Sequence, residues 1–151
     1  MKTILSIGYA RYSLEEFVAT LLENGVQHLI DTRERPLSRK KGFSKTKLSI
    51  ALAKADINYT HFRSLGSPSA SREILRQDGD YGRFFSSVRT QLQSSDAMEA
   101  LEFIAKTAKR QTVCLMCICE DVSKCHRSQV LSSLPKLHAL EIGKSNLAKV
   151  G

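Results

Sequence analysis

The opening of the chain leaves few architectures available, because residues 3–31 spell a strand, a helix and a second strand with the stops between them. Residues 3 to 7 form an apolar run closed by Gly8, and Ser13-Leu14-Glu15-Glu16 is a capping box that starts a helix at Leu14. Leu14, Phe17, Val18, Leu21 and Leu22 recur on one helical face, and Gly25 supplies the left-handed residue that stops it. Val26-Gln27-His28-Leu29-Ile30-Asp31 then reads as a strand. Two strands joined by a helix run parallel with a right-handed crossover, which commits the chain to an α/β sheet.

The rest of the chain extends that sheet. A helix is expected from Ser44 to Ala55 and a third strand from Ile57 to Phe62. Arg63 to Gly82, with Gly66, Pro68, Gly79 and several serines, reads as a long loop holding one helical turn near Arg72 to Arg76. Phe84, Phe85, Val88 and Leu92 mark a helix, and Asp96 with Glu99 is expected to cap another whose inner face is Met98, Leu101, Ile104, Ala105 and Ala108. Thr112 to Ile118 is a buried strand, Ser123 is expected to cap a helix running to Leu134, and Leu137 to Ile142 is a fifth strand. With 151 residues, 42% of them hydrophobic, one core is affordable. The expectation is therefore a single α/β domain over residues 1–143, a mostly parallel sheet of about five strands flanked by helices in a Rossmann-like three-layer arrangement, with 144–151 as a flexible tail.

No stretch approaches the roughly 20 apolar residues of a membrane span, and the first eight residues turn polar too soon for a signal peptide. A cytoplasmic protein with reduced thiols and no membrane partner is expected. The net charge is +8, and seven basic residues stand against Glu34 alone between residues 33 and 47. A patch of that density suits a phosphorylated small molecule or a nucleic-acid backbone, or serves only as a solvated loop.

Parallel strands bring their carboxyl ends to one edge, where ligands bind α/β proteins. That edge should gather Gly8, Asp31, Arg33 and His61 with the turn Cys119 to Arg127. Arg33, Arg35, Arg39 and Arg127 are candidates to hold an anion through their guanidinium forks. Asp31, Glu120 and His126 are candidates for proton transfer, although Asp31 would equally serve a structural pair with arginine, and Glu120 a cap or an ion pair. His126 falls in the first turn of the helix expected from Ser123, whose positive end should keep its imidazole neutral. Tyr9, Ser38 and Ser128 complete the expected lining, while His28 and His138 are read as structural.

Cys125 at a helix start should have a lowered thiol pKa and could be a nucleophile, and Cys119 is placed with it as catalytic or as part of the wall. A phosphatase loop is disfavoured, since the sixth residue after each cysteine is Glu120, Ser123, Cys125 or Leu131, never arginine. Alternation along a strand points Cys114 away from Cys117, so Cys114-x-x-Cys117 is not a zinc knuckle, and both are read as small buried hydrophobes. A looser Cys119/Cys125/His126 metal site is weighed, but no metal is assigned.

Ser6-Ile7-Gly8, Ser13-Leu14-Glu15-Glu16-Phe17, Asp31-x-Arg33-x-x-Pro36-x-Ser38-Arg39, Gly66, and Cys119-Glu120 with Cys125-His126-Arg127-Ser128 together resemble the domain of unknown function 488 family, over Thr3 to about Ile142. The resemblance implies a compact α/β domain found mainly in prokaryotes, with no established reaction. Tyr9 stands where many relatives resemble Gly-His, and that substitution weakens the metal reading further. The leading expectation is an enzyme, a hydrolase or transferase, that binds a nucleotide or nucleic-acid end. A non-catalytic nucleic-acid-binding or regulatory module and a thiol or metal sensor are the alternatives.

Overall fold

Five parallel strands build the sheet in the order β3-β2-β4-β1-β5: β1 (Lys2–Gly8), β2 (His28–Asp31), β3 (Asn58–His61), β4 (Val113–Cys117) and β5 (Leu137–Glu141). A computed structural model describes residues 2–143, so the expected tail at 144–151 lies outside the described residues. The sheet is entirely parallel rather than mostly so. Among the described residues no helix is long and apolar enough to cross a membrane.

Helices cover both faces. α1 (Leu14–Glu23) and α2 (Lys45–Lys54) bury Phe17, Leu21, Leu48 and Leu52 on one face, against Leu5, Ile7, Leu29, Cys114 and Met116 of the strands. α4 (Tyr81–Gln91), α5 (Ser95–Thr107) and α6 (Arg127–Ser132) bury Phe84, Val88, Ile104 and Val130 on the other, against Ile4, Ile30, Val113 and Leu115. Alternating residues of one strand thus feed two cores, the mark of a sheet buried on both sides. The capping box forms as expected, with Ser13 Oγ accepting from Glu16 N at 3.1 Å and Glu16 Oε1 from Ser13 N at 3.0 Å. Gly25 takes φ 70° just beyond α1.

Several expected elements are corrected. The loop expected at 63–82 contains a 3₁₀ turn at Arg63–Leu65 and a whole helix, α3 (Ser69–Asp78). Its only buried residue is Ser71, whose Oγ lies 2.5 Å from Ser87 Oγ on α4, and Leu75 packs against the core, too short an apolar pattern to signal a helix. α5 is capped by Ser94, which accepts from Ala97 N, not by Asp96. Leu101, Ile104, Ala105 and Ala108 of its expected inner face do pack on the core, joined by Ala97 and Ala100, but Met98 is 60% exposed. The helix expected from Ser123 starts only at Arg127. The Asp121 carboxylate takes the N–H and the hydroxyl of Ser123, which winds Val122–Lys124 into a 3₁₀ turn, and Cys125 is extended.

Candidate functional site

The connections leaving β1 and β2 pass to one face and the one leaving β4 passes to the other, although β4 lies between them. Chains diverging in this way leave a crevice at the carboxyl edge. A cavity of about 490 Å³ occupies it, lined by Tyr9 after β1, Arg33, Arg35, Ser38 and Arg39 after β2, Cys117 and Cys119 at the end of β4, and His126. Lys40, Ser67 and Arg72 join this wall without having been expected there. Arg72 lies in the first turn of α3, a helix longer than the single turn expected near Arg72 to Arg76.

The backbone closes tightly over the strand ends. Tyr9 N and Ala10 N donate to Cys117 O and Ile118 O at 3.0 and 3.2 Å, so the chain after β1 stays paired with the chain after β4. A Cβ on Gly8 would stand 1.8 Å from the Cys119 carbonyl oxygen, and only glycine permits that approach.

Asp31 and Arg33 form a closed pair. Asp31 is fully buried, and its oxygens accept from Arg33 Nε (2.9 Å) and Nη2 (2.7 Å) and from the Tyr59 hydroxyl (2.5 Å). Arg33 Nη1 donates to Phe43 O at 2.7 Å and to the Tyr9 hydroxyl at 3.3 Å, and its carbonyl receives His61 Nε2 at 2.6 Å. Burial opposes the Arg33 charge, but Asp31 outweighs it and holds the guanidinium protonated, while burial and then Asp31 push the Tyr59 phenol up. This is the structural Asp–Arg pair, with Tyr9 stacked on Phe43 at 4.5 Å beside it.

Arg127 is likewise enclosed. It is fully buried, donates from Nη1 to Ile7 O and from Nη2 to Cys119 O (3.1 Å) and Glu141 Oε1 (2.9 Å), and does not line the cavity. Glu120 pairs with Arg11 at 2.8 Å on a separate small cleft, and the Ser128 hydroxyl donates to Cys125 O at 2.8 Å. In contrast, Arg35, Arg39 and Lys40 take part in none of the ion pairs among the described residues. Arg72 is partly spent on Glu34 at 3.1 Å.

The floor is a group of thiols. Cys117 and Cys125 bring their Sγ atoms to 2.9 Å, and Cys125 Sγ is 3.6 Å from His126 Nδ1. Cys117, Cys125 and His126 could hold a metal ion, their ligand atoms all lying within 4.8 Å of one another. Reading Cys117 as a mere buried hydrophobe is therefore corrected: it points away from Cys114, as alternation requires, but toward Cys125, eight residues on. Hydrogen bonds from Cys117 and Cys125, with Arg127 nearby, hold the Cys119 thiol far below its ordinary range. The lowering expected for Cys125 is reversed: its hydrogen bond with Cys117 pulls the thiol down, but that with Cys119 and burial push it up to about 12. His126 is kept neutral as expected, by burial rather than by a helix dipole, and its Nε2 donates to Thr32 O at 2.8 Å.

A family model described as Domain of unknown function DUF488 matches residues 13–134. No curated protein and no solved structure matches the chain.

Proposed function

The chain belongs to the DUF488 family, and on the geometry of its site we propose that it is a cytoplasmic enzyme, a hydrolase or transferase, that holds a phosphate-bearing ligand, a nucleotide or a nucleic-acid end, in the cavity at the carboxyl edge of its sheet. One observation carries this reading. Arg35, Arg39 and Lys40, uncommitted to any carboxylate among the described residues, line the same cavity as Cys117, Cys119 and His126. Guanidinium forks suit phosphate oxygens, and the loop that carries them is braced from below by the Asp31–Arg33 pair. The anion would then sit over the thiol floor, with its reacting end beside Cys119, the partly exposed thiol of that wall.

A thermal-shift series with inorganic phosphate and nucleoside mono-, di- and triphosphates tests it, run on the wild type and on Arg35→Ala/Arg39→Ala. A ligand at 100 times its dissociation constant stabilises the native state by about 2.7 kcal/mol. The expected result is a nucleotide that raises the wild-type midpoint and leaves the double variant unmoved. Equal shifts in both proteins would remove the anion pocket. Binding of long duplex alone, steeply salt-dependent, would favour a non-catalytic nucleic-acid module instead.

A further inference from the structure

Beneath the anion-binding wall, and independently of what that wall binds, we propose that Cys117, Cys125 and His126 form a binding site for a thiophilic divalent cation of the zinc type, with its fourth position opening on the cavity beside Cys119.

The donors are of the right kind and point the right way. Cys117 and Cys125 are each 1% exposed and His126 is 8% exposed, and they come from the end of β4 and the turn before α6. With Nε2–H given to the Thr32 carbonyl at 2.8 Å, a neutral His126 must carry its lone pair on Nδ1, the nitrogen that faces Cys125 Sγ at 3.6 Å. A ring whose far N–H is fixed on a backbone carbonyl is how proteins orient a metal-binding histidine. Cys125 Sγ also accepts the Arg127 backbone N–H at 3.5 Å, which helps to fix the sulfur beside His126. Two soft sulfurs and one imidazole select zinc over magnesium or calcium.

The spacing suits a tetrahedral ion after shifts of about an ångström, the three ligand atoms all lying within 4.8 Å of one another. Ligands around a tetrahedral zinc stand about 3.8 Å apart when both are sulfur, at bond lengths near 2.3 Å. The Cys125–His126 separation of 3.6 Å already matches, and the Cys117–Cys125 separation of 2.9 Å must widen by about 0.9 Å. Binding exchanges two thiol protons for one dication, and the protons leave to buffer. The two thiolates balance the ion's charge, so the buried centre is neutral. Cys117, Cys119 and His126 all line the cavity, which supplies the entry path.

Cobalt(II) is the probe. Chelator-treated full-length protein, reduced with a phosphine, is titrated with cobalt(II) and then with zinc(II). Expected are one equivalent of cobalt, thiolate-to-cobalt charge transfer in the near ultraviolet, intense tetrahedral bands in the visible, and their loss on one equivalent of zinc. Cys117→Ser/Cys125→Ser should abolish the spectrum, and Cys114→Ser should keep it. Should the double variant fail to fold by circular dichroism, alkylation of the wild type decides, with zinc protecting Cys117 and Cys125 by peptide mass. The site is overturned if the wild type gives no thiolate bands, if they persist in a folded double variant, if zinc protects neither cysteine, or if the two are recovered as a disulfide under reductant. Nucleotide response in the Arg35→Ala/Arg39→Ala protein is a separate readout, so either proposal can fail without the other.

Discussion

The Arg33 guanidinium folds back onto the carboxylate of Asp31, two residues earlier, with Nη2 2.7 Å from Oδ2 and Nε 2.9 Å from Oδ1. Strand β2 ends at Asp31, so this contact turns the chain and fixes the start of the basic segment. Both partners are buried, and removing one strands the other away from water. Arg33→Ala should therefore cost about 3–5 kcal/mol in urea unfolding. Asp31→Leu/Arg33→Met, which removes both charges, should recover much of that loss. A single variant as stable as wild type would mean that the pair does not hold the loop.

Arg127 should prove to be a positioning residue. Its fork spans the ends of three segments, reaching Ile7 O, Cys119 O and Glu141 Oε1. A lysine keeps the charge but presents a single ammonium where two nitrogens are needed. Arg127→Lys should lower stability by about 3 kcal/mol, since it breaks part of a buried charged network. A nucleotide that binds through Arg35 and Arg39 should still bind any folded Arg127→Lys protein, as isothermal titration would show. Loss of binding at full stability would instead put Arg127 in contact with the ligand.

Gly8 and Gly25 should respond differently to alanine. A methyl at Gly8 meets the Cys119 carbonyl at 1.8 Å, backbone against backbone, so the chain after β1 must move away from β4. A methyl at Gly25 meets nothing within 4 Å and suffers only from φ 70°. Gly25→Ala should cost about 1 kcal/mol, the usual penalty of a left-handed residue with a side chain. Gly8→Ala should cost several times more and alter the near-ultraviolet circular dichroism of Tyr9. Equal midpoints for the two variants would show that the crossing at Gly8 can relax.

The parts of the molecule written in local chemistry were legible. The Ser13 box, the Leu14 to Leu22 stripe and Gly25 are short-range signals, and each appears where the sequence puts it. The gathering of Tyr9, Arg33, Arg39, Cys119 and His126 followed from one rule about parallel strands. Signals that depend on a partner were not legible. α3 offers only Ile74 and Leu75 as large apolar residues, and besides Leu75 it is held through Ser71 and Ser87, a contact no periodicity reveals. Strand alternation relates Cys117 to Cys114 on its own strand, whereas its neighbour is Cys125 across a turn. In the sequence the arginines are equivalent cations, but in the fold Arg33 and Arg127 spend their donors inside and Arg35 and Arg39 do not. Which charge is free is a property of packing, and composition is silent on it.

The four thiols should separate by access. Cys119 is partly exposed on the cavity wall, Cys117 and Cys125 lie beneath it, and Cys114 is fully buried in the core with Phe17 and Leu52. An alkylating reagent reaches a thiol in the native state only through an opening large enough to admit it, so enclosed thiols wait for local or global unfolding. With metal-free protein and iodoacetamide, peptide mass spectrometry should find Cys119 modified first and Cys114 modified only when urea unfolds the chain. A nucleotide seated among Arg35, Arg39 and Lys40 should slow the Cys119 reaction at least tenfold by covering the wall, while leaving the Cys114 rate in urea unchanged. If Cys119 reacts no faster than Cys114, the cavity does not reach the thiol floor. If it reacts fast but no phosphate-bearing compound protects it, the basic loop and the thiols do not serve one ligand.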